Sequence, residues 1–334
     1  MAGNPSDTVL VVVLGPTATG KTEVAMQWSE ELGGEIVSAD SGQVYRYMDV
    51  GTAKPTRAQQ ERVSHHLIDV VDPDQTFSAA QYQQMADEAI VDIHARGKVP
   101  LVVGGTGLYL KVLTRGLFKG PAADRTLRCR LQEQAEAEGL AALHLILQRI
   151  DEEAARRIHP NDAVRIIRAL EVYYLTGIPI SHHQKRHRFL QERYRAIYFG
   201  LAVEREPLYQ RINARVDKMM EQGLVAEVEK LLCMGYYSSL PAMQALGYRH
   251  MVNHLLGNQS LLEAVDTLKR DTRHFARRQA NWFRRMPAVN WFRPDEARTI
   301  LRRIQRFVEG GADSHDSNTF VSRKGAKDAK FLPE

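Results

Sequence analysis

The sequence predicts an α/β fold of the P-loop NTPase-like class, a parallel sheet flanked by helices, with an all-helical insertion domain. Three observations predict it. Thr8 to Leu14 is an apolar, β-branched run of the kind that forms a strand buried on both faces. It feeds Gly15-Pro16-Thr17-Ala18-Thr19-Gly20-Lys21-Thr22, which matches G-x-x-x-x-G-K-[ST] at every fixed position, and Glu23 to Leu32 then repeats at helical spacing up to Gly33-Gly34. Finally, Ala122 to Ile150 is rich in Ala, Leu, Glu, Gln and Arg, and no strand signal returns before Tyr194, so a helical block interrupts the α/β pattern.

The glycine loop fixes the first chemistry. Glycines let successive backbone N–H groups curl inward, and the following helix adds its positive N-terminal end. Lys21 supplies a point charge for terminal phosphates, and the Thr22 hydroxyl supplies a ligand for Mg²⁺. The loop alone does not distinguish nucleoside triphosphates from other diphosphates.

Glu35 to Ala39 reads as a second buried strand ending at Asp40. Ligands in open α/β sheets sit at the carboxyl ends of the strands, so Asp40 is delivered toward the phosphate loop, as a base, a Mg²⁺ ligand or an N-cap. His65 to Val70 is a short strand candidate, and Ser78 caps a helix running to about Ala95. Lys98 to Gly107 repeats the grammar of strand and glycine turn before another helix, which makes Thr106 either a site hydroxyl or a local cap. The helical block breaks at Glu138-Gly139 and at His159-Pro160-Asn161-Asp162, and its last long helix carries Arg165 and Arg168 on one face. A strand signal returns at Tyr194 to Leu201. The next helix holds Arg211 and Arg215 four residues apart, a spacing that by itself reads as solvated surface. A long helix over Leu261 to Met286 aligns Arg270, Arg273, Arg277 and Arg284, which points to phosphate contact. The expected organisation is a core over 1–120 and 194–309, a helical insertion over 121–193, and a polar tail without periodicity over 310–334.

Composition narrows the class. The chain has 334 residues and 25% charged residues, and no apolar run approaches a membrane span. The short polar N-terminus is unlike a signal peptide, so a cytoplasmic protein without membrane attachment is expected. Two isolated cysteines, Cys129 and Cys233, support neither a disulfide framework nor a zinc site, and the cations among His182, His183 and His187 disfavour a metal there. From Leu268 to Arg306 twelve Lys and Arg face three acids, in a chain whose net charge is +5, so the remainder is net acidic. One basic segment on an acidic body is the footprint of a polyanion-binding protein.

The phosphate loop, Ser38-Ala39-Asp40-Ser41, Tyr45, Met48 to Pro55, Val103-Gly104-Gly105-Thr106-Gly107-Leu108-Tyr109, Arg157 to Asp162, Ala245-Leu246-Gly247-Tyr248-Arg249 and Arg277 to Phe283 together resemble the tRNA dimethylallyltransferases. The likeness runs in order from about Val9 to Phe292 and resembles the bacterial type without a zinc finger. It implies transfer of the dimethylallyl group of dimethylallyl diphosphate to N6 of the adenosine 3′ to the anticodon, with tRNA and that diphosphate as partners, Mg²⁺ as cofactor and no obligate protein partner. It further implies that Gly15 to Thr22 hold a prenyl diphosphate and that Asp40 is the general base. Lys21, Thr106, Arg215 and Thr22 with Mg²⁺ would stabilise the leaving diphosphate. Contact with a flipped adenosine and its stem-loop is implied for Asp40, Ser41, Gly42 and Gln43; for Arg128, Val164, Arg165, Ile166, Ile167 and Arg168; for Gln244, Ala245, Leu246, Gly247, Tyr248 and Arg249; and for Arg277, Arg278, Gln279, Ala280, Asn281, Trp282, Phe283 and Arg284. Gly42 departs from the family, which usually carries a side chain there. Two other classes use the same loop: a small-molecule kinase with ATP in it, which leaves the basic helices idle, and a non-catalytic RNA-binding switch, which yields no product.

Overall fold

A computed structural model of the chain describes residues 8–118, 120–187, 192–286 and 288–309. The expected tail over 310–334 lies outside them. Within the described residues, 8–114 and 192–309 form one compact unit and 115–187 a second.

In the first unit the opening run forms β1 (Val9–Leu14), the glycine loop leads into α1 (Lys21–Leu32), and Gly33 closes that helix in the left-handed conformation. β2 (Glu35–Ser38), α2 (Arg57–Arg62), β3 (His65–His66), α3 (Ala79–Ala95), β4 (Pro100–Gly104) and α4 (Gly107–Arg115) follow. The strand expected over His65 to Val70 stops after two residues, because Leu67 and Asp69 take positive φ of 62° and 55° and turn the chain away. Ser78 caps α3 through the Gln81 amide, in a reciprocal capping box.

The second unit holds α5 (Arg125–Glu138), α6 (Leu140–Ile150), α7 (Glu152–Arg157), α8 (Ala163–Thr176) and α9 (Ile180–His187). Its core joins Leu131, Leu143, Leu147, Ile166, Ile167 and Leu170, which recur at helical spacing on their helices. The first unit then resumes with β5 (Arg195–Leu201), α10 (Arg205–Glu221), α11 (Leu224–Cys233), α12 (Tyr248–Leu255), α13 (Leu261–Phe283), β6 (Val289–Phe292) and α14 (Ala297–Val308). The sequence reading gives no strand over 289–292 and reads 297–308 only as charge, although Ala297, Leu301, Ile304 and Phe307 form its buried face.

The six strands lie in the order β3-β2-β4-β1-β5-β6, all parallel. Leu14 pairs with Gly104 and Ser38 with Val103, so the chain leaves β1, β2 and β4 at one level of one edge. Parallel strands with helices on their faces must be apolar on both sides, as Leu10 to Leu14 are, all fully buried. Trp28 of α1 anchors one face: it stacks on Phe292 with centroids 5.4 Å apart, meets Phe199 edge-on at 5.4 Å, and donates its indole N–H to the Ala297 carbonyl at 3.0 Å. Among the described residues no helix is long and apolar enough to cross a membrane.

Because Trp28 joins α1, the sheet and α14, Trp28→Ala is expected to lower unfolding free energy by about 3–5 kcal/mol. The denaturant midpoint checks this, and a loss below about 1 kcal/mol contradicts the anchoring role.

Candidate active site

Three chain segments meet where β1, β2 and β4 end. The phosphate loop follows β1, and Gly20 takes a φ of 93° that L side chains rarely adopt. Thr19, fully buried, donates from Oγ1 to the Pro16 carbonyl at 2.9 Å, and Lys21 Nζ donates to the same carbonyl at 2.7 Å. These bonds keep the loop curled with no ligand required. The Thr17 amide is already engaged, since its N–H donates to Gln279 Oε1 at 2.9 Å.

After β4 the second glycine turn runs close to the first. The Thr106 amide donates to the Ala39 carbonyl at 3.1 Å, and Thr106 Oγ1 accepts from the Ser41 amide at 3.0 Å and lies 3.3 Å from Ser41 Oγ. The hydroxyl is thus tied to the segment carrying Asp40. Asp40 Oδ1 accepts from the Gly42 amide at 2.8 Å and, less directly, from the Gln43 amide at 3.4 Å. A side chain at 42 would begin 3.0 Å from Thr52 Cγ2 and 3.3 Å from that carboxylate oxygen. The Gln43 side chain turns inward, accepting from Ser38 Oγ at 3.1 Å.

The charges at this edge act on one another. Burial, and then the neighbouring Arg215 guanidinium, push the Lys21 ammonium down to about 7, while Asp40 opposes that shift. Arg215 is itself pushed below its ordinary value by burial, with Asp40 again opposing. Arg215 therefore departs from the surface reading of its spacing, and Arg211, one turn away, is the exposed one. Two half-buried cations, Lys21 and Arg215, beside the equally half-buried Asp40 carboxylate leave this edge of the sheet electropositive. Nearby, Tyr109 is buried, stacks on Tyr82 at 4.1 Å with nearly parallel rings, and meets Phe77 edge-on. Burial, then Tyr45 and the Asp40 charge, raise the Tyr109 phenol well above its ordinary value, so this aromatic cluster lies within electrostatic reach of Asp40.

The loop following Asp40 is held from behind. Glu227 of α11 accepts from the amides of Asp49, Val50 and Gly51 at 2.8–3.1 Å and from the Tyr248 hydroxyl at 2.7 Å. Lys54, almost fully buried, bonds Asp49, Asp69 and the Tyr45 carbonyl. Gly51 lets Tyr248 lie flat against the backbone, because a Cβ there would fall 2.5 Å from the ring. The sequence reading has no role for Glu227, a surface-looking acid whose backbone partners lie 176–178 residues away.

The residues expected to contact RNA divide. Arg277, Arg278, Asn281 and Trp282 on α13, Arg284 at its C-cap, Ser41, Gln244, Val164 and Arg165 are exposed. Ile166 and Ile167 belong to the core of the helical unit, and Tyr248, Ala280 and Phe283 are buried, so their side chains do not face solvent. Ala245 and Leu246 pack, half-buried, against the core around Tyr248. Arg128 and Arg168 both pair with Glu171, which is fully buried; their hydrogen bonds outweigh the cost of burial and hold its carboxyl below its ordinary range. They brace the helical unit, and Arg168 also donates to the Pro121 carbonyl at 2.9 Å. Arg249 is paired with Asp271 at 2.6 Å. In the expected cationic stripe, Arg273 donates to Asn213 at 2.8 Å and Arg270 pairs with Asp271. Gln279 is buried against the phosphate loop. Helical spacing identifies a shared face but not which members of it find an acid.

Comparison with known proteins identifies the family. The family model described as IPP transferase matches residues 43–286. A tRNA dimethylallyltransferase 2 of Syntrophus aciditrophicus is 51% identical over 310 residues, covering 93% of this chain and all of that protein. The full-length tRNA isopentenylpyrophosphate transferase of Bacillus halodurans is 41% identical with a TM-score of 0.69, covering 92% of this chain and 98% of that one. A eukaryotic dimethylallyltransferase acting on tRNA gives a TM-score of 0.80 at 26% identity, covering 93% and 82%. A P-loop-like parallel sheet, the second glycine turn facing it and this run of matches together place the chain in the IPP transferase family of tRNA prenyltransferases.

Proposed function

We propose that this protein moves the dimethylallyl group of dimethylallyl diphosphate to N6 of the adenosine 3′-adjacent to the tRNA anticodon, releasing diphosphate. The observation that carries the reading is the meeting, at one sheet edge, of an electropositive phosphate loop with a carboxylate and an aromatic cluster. In this reading the amides of the loop, Lys21 and Arg215 hold the diphosphate, and Thr106 adds a hydroxyl. The charge growing on the departing diphosphate falls beside two half-buried cations that share a single carboxylate, which lowers the barrier to C–O cleavage. Phe77, half-buried and edge-on to the buried Tyr109, offers an apolar surface suited to a prenyl chain. The adenine amine attacks the primary carbon and gives up its proton to Asp40, whose Oδ2 is left for that role because the amide contacts fall on Oδ1.

Mg²⁺ fits the donor set. Magnesium commonly takes few protein ligands and completes its shell with phosphate oxygens and water, so the one hydroxyl of Thr22 suffices as the protein ligand. When bound it would supply charge neutralisation on the diphosphate. The base must leave its stack to reach Asp40, and the exposed Arg277, Arg278 and Trp282 of α13 are suited to phosphates and stacking. Arg165 on the helical unit, exposed although it pairs with Asp162 at 3.3 Å, is another cation suited to phosphates. A cytoplasmic site of action follows from the tRNA substrate.

Transfer by the wild type compared with Asp40→Ala tests the reading: the variant is expected to bind tRNA normally and lose turnover by about 10²–10⁴-fold. Normal turnover removes Asp40 from the base role. Lys21 gives a pH signature. With its free-state pKa near 7, the amine is largely neutral at about pH 8, and an anion in the loop favours the ammonium. Binding of dimethylallyl diphosphate should therefore take up close to one proton near pH 8 and progressively less toward pH 6. Calorimetry in buffers of different ionisation enthalpy reads this, and equal uptake at both pH values contradicts it. Arg277→Ala should weaken tRNA binding and flatten its log–log salt dependence by about 0.7–0.9, with donor affinity unchanged. An unaltered slope returns Arg277 to an idle solvated face.

A further inference from the structure

We propose that Gln279 is a positioning residue that pins the phosphate loop to the glycine turn carrying Thr106, and so sets the distance between leaving group and base. The inference rests on the transfer reading above. Gln279 sits on α13, 8% exposed, between two backbones that are distant in sequence. Its Oε1 accepts from the Thr17 amide at 2.9 Å, and its Nε2 donates to the Gly105 carbonyl at 2.9 Å. A side-chain amide is one acceptor and one donor on a single plane, and each end here meets its complement. Gly105 completes the fit: a Cβ there would fall 2.3 Å from Nε2. Two residues on, a Cβ at Gly107 would fall 2.2 Å from the Trp282 ring, so the last turn of α13 lies directly on the glycine turn.

A continuous chain of contacts results. Thr17 in the donor loop bonds Gln279, Gln279 bonds Gly105, and the adjoining Thr106 bonds Ser41, next to Asp40. Alignment of nucleophile and leaving group depends on this spacing, and displacements near 1 Å cost about 10²-fold in rate. Gln279 is thus not an RNA contact, although Arg277 and Arg278 beside it are exposed.

The test measures three constants on Gln279→Ala and Gln279→Glu: Kd for inorganic diphosphate, kcat for prenyl transfer and Kd for tRNA. Removing the amide leaves a buried N–H and C=O unpaired, so Gln279→Ala is expected to raise the diphosphate Kd roughly 5- to 50-fold and lower kcat about tenfold or more, with the tRNA Kd within about twofold. Gln279→Glu supplies a control that a merely structural role would not produce. Its protonated carboxyl reproduces one acceptor and one donor, whereas its carboxylate faces the Gly105 carbonyl. Both constants, taken relative to wild type, should therefore recover from about pH 8 to about pH 6 in Gln279→Glu but not in Gln279→Ala. A raised tRNA Kd with unchanged diphosphate affinity overturns the proposal, as does a loss of melting temperature with diphosphate Kd unmoved. If Gln279→Ala does not fold, the pH dependence of Gln279→Glu decides. Absence of transfer by the wild type would sink the transfer reading instead, and the diphosphate affinities would still report whether Gln279 pins the loop.

Discussion

The close approach of two glycine turns at the carboxyl edge of a parallel sheet is the constraint on which the rest depends. Register forces it: Leu14 lies opposite Gly104 and Ser38 opposite Val103, so three chain segments leave the sheet at one level. Backbone so crowded must satisfy its polar groups from nearby, and few side chains fit. Small residues at 15, 104, 105 and 107 make the space, Thr106 supplies a hydroxyl to the Ser41 amide, and α13 supplies a side-chain amide. The long C-terminal helix is therefore part of the site's foundation as well as a carrier of exposed cations.

The electrostatics follow from the packing. Once Lys21 and Arg215 are half-buried beside one carboxylate, the local charge is unbalanced, and each cation is pushed toward its neutral form. That cost is borne in the free protein and relieved by an anion, which is how a preorganised site favours a leaving diphosphate over water. The loop from Asp40 to Pro55 could not hold this arrangement from its own bonds. Glu227 fixes three successive amides of it, and Lys54, near its C-terminal end, bonds the Tyr45 carbonyl, Asp49 and the neighbouring Asp69.

Much of this was legible in the residue pattern, and the reasons for the remainder are physical. A buried parallel strand and a glycine loop are encoded locally, by β-branched runs and by positions that tolerate positive φ, so β1, α1, β2, β4 and the capped α3 could be read directly. β6 could not, because four residues, three of them half-buried, carry too little pattern, and the amphipathic face of α14 was masked by its arginines. At the site, Lys21, Asp40 and Thr106 are reached by motif and by the rule of strand ends. Arg215 looked like surface because burial of an arginine depends on what packs over it. Arg128, Arg168 and Arg249 looked free for the same reason: their acidic partners, Glu171 and Asp271, are brought to them by the fold. Gln279 lies inside a motif otherwise read as RNA-binding, and nothing in its neighbours signals that one side chain of that helix turns inward across 262 residues to Thr17.

The measurement that bears most directly on the account is the fate of label from dimethylallyl diphosphate incubated with the protein, Mg²⁺ and unmodified tRNA, beside a parallel incubation with ATP. The account predicts label in the adenosine 3′ to the anticodon, stoichiometric release of diphosphate and no ATP consumption. ATP hydrolysis or phosphoryl transfer with no label in tRNA would contradict it and assign the phosphate loop to a nucleotide instead.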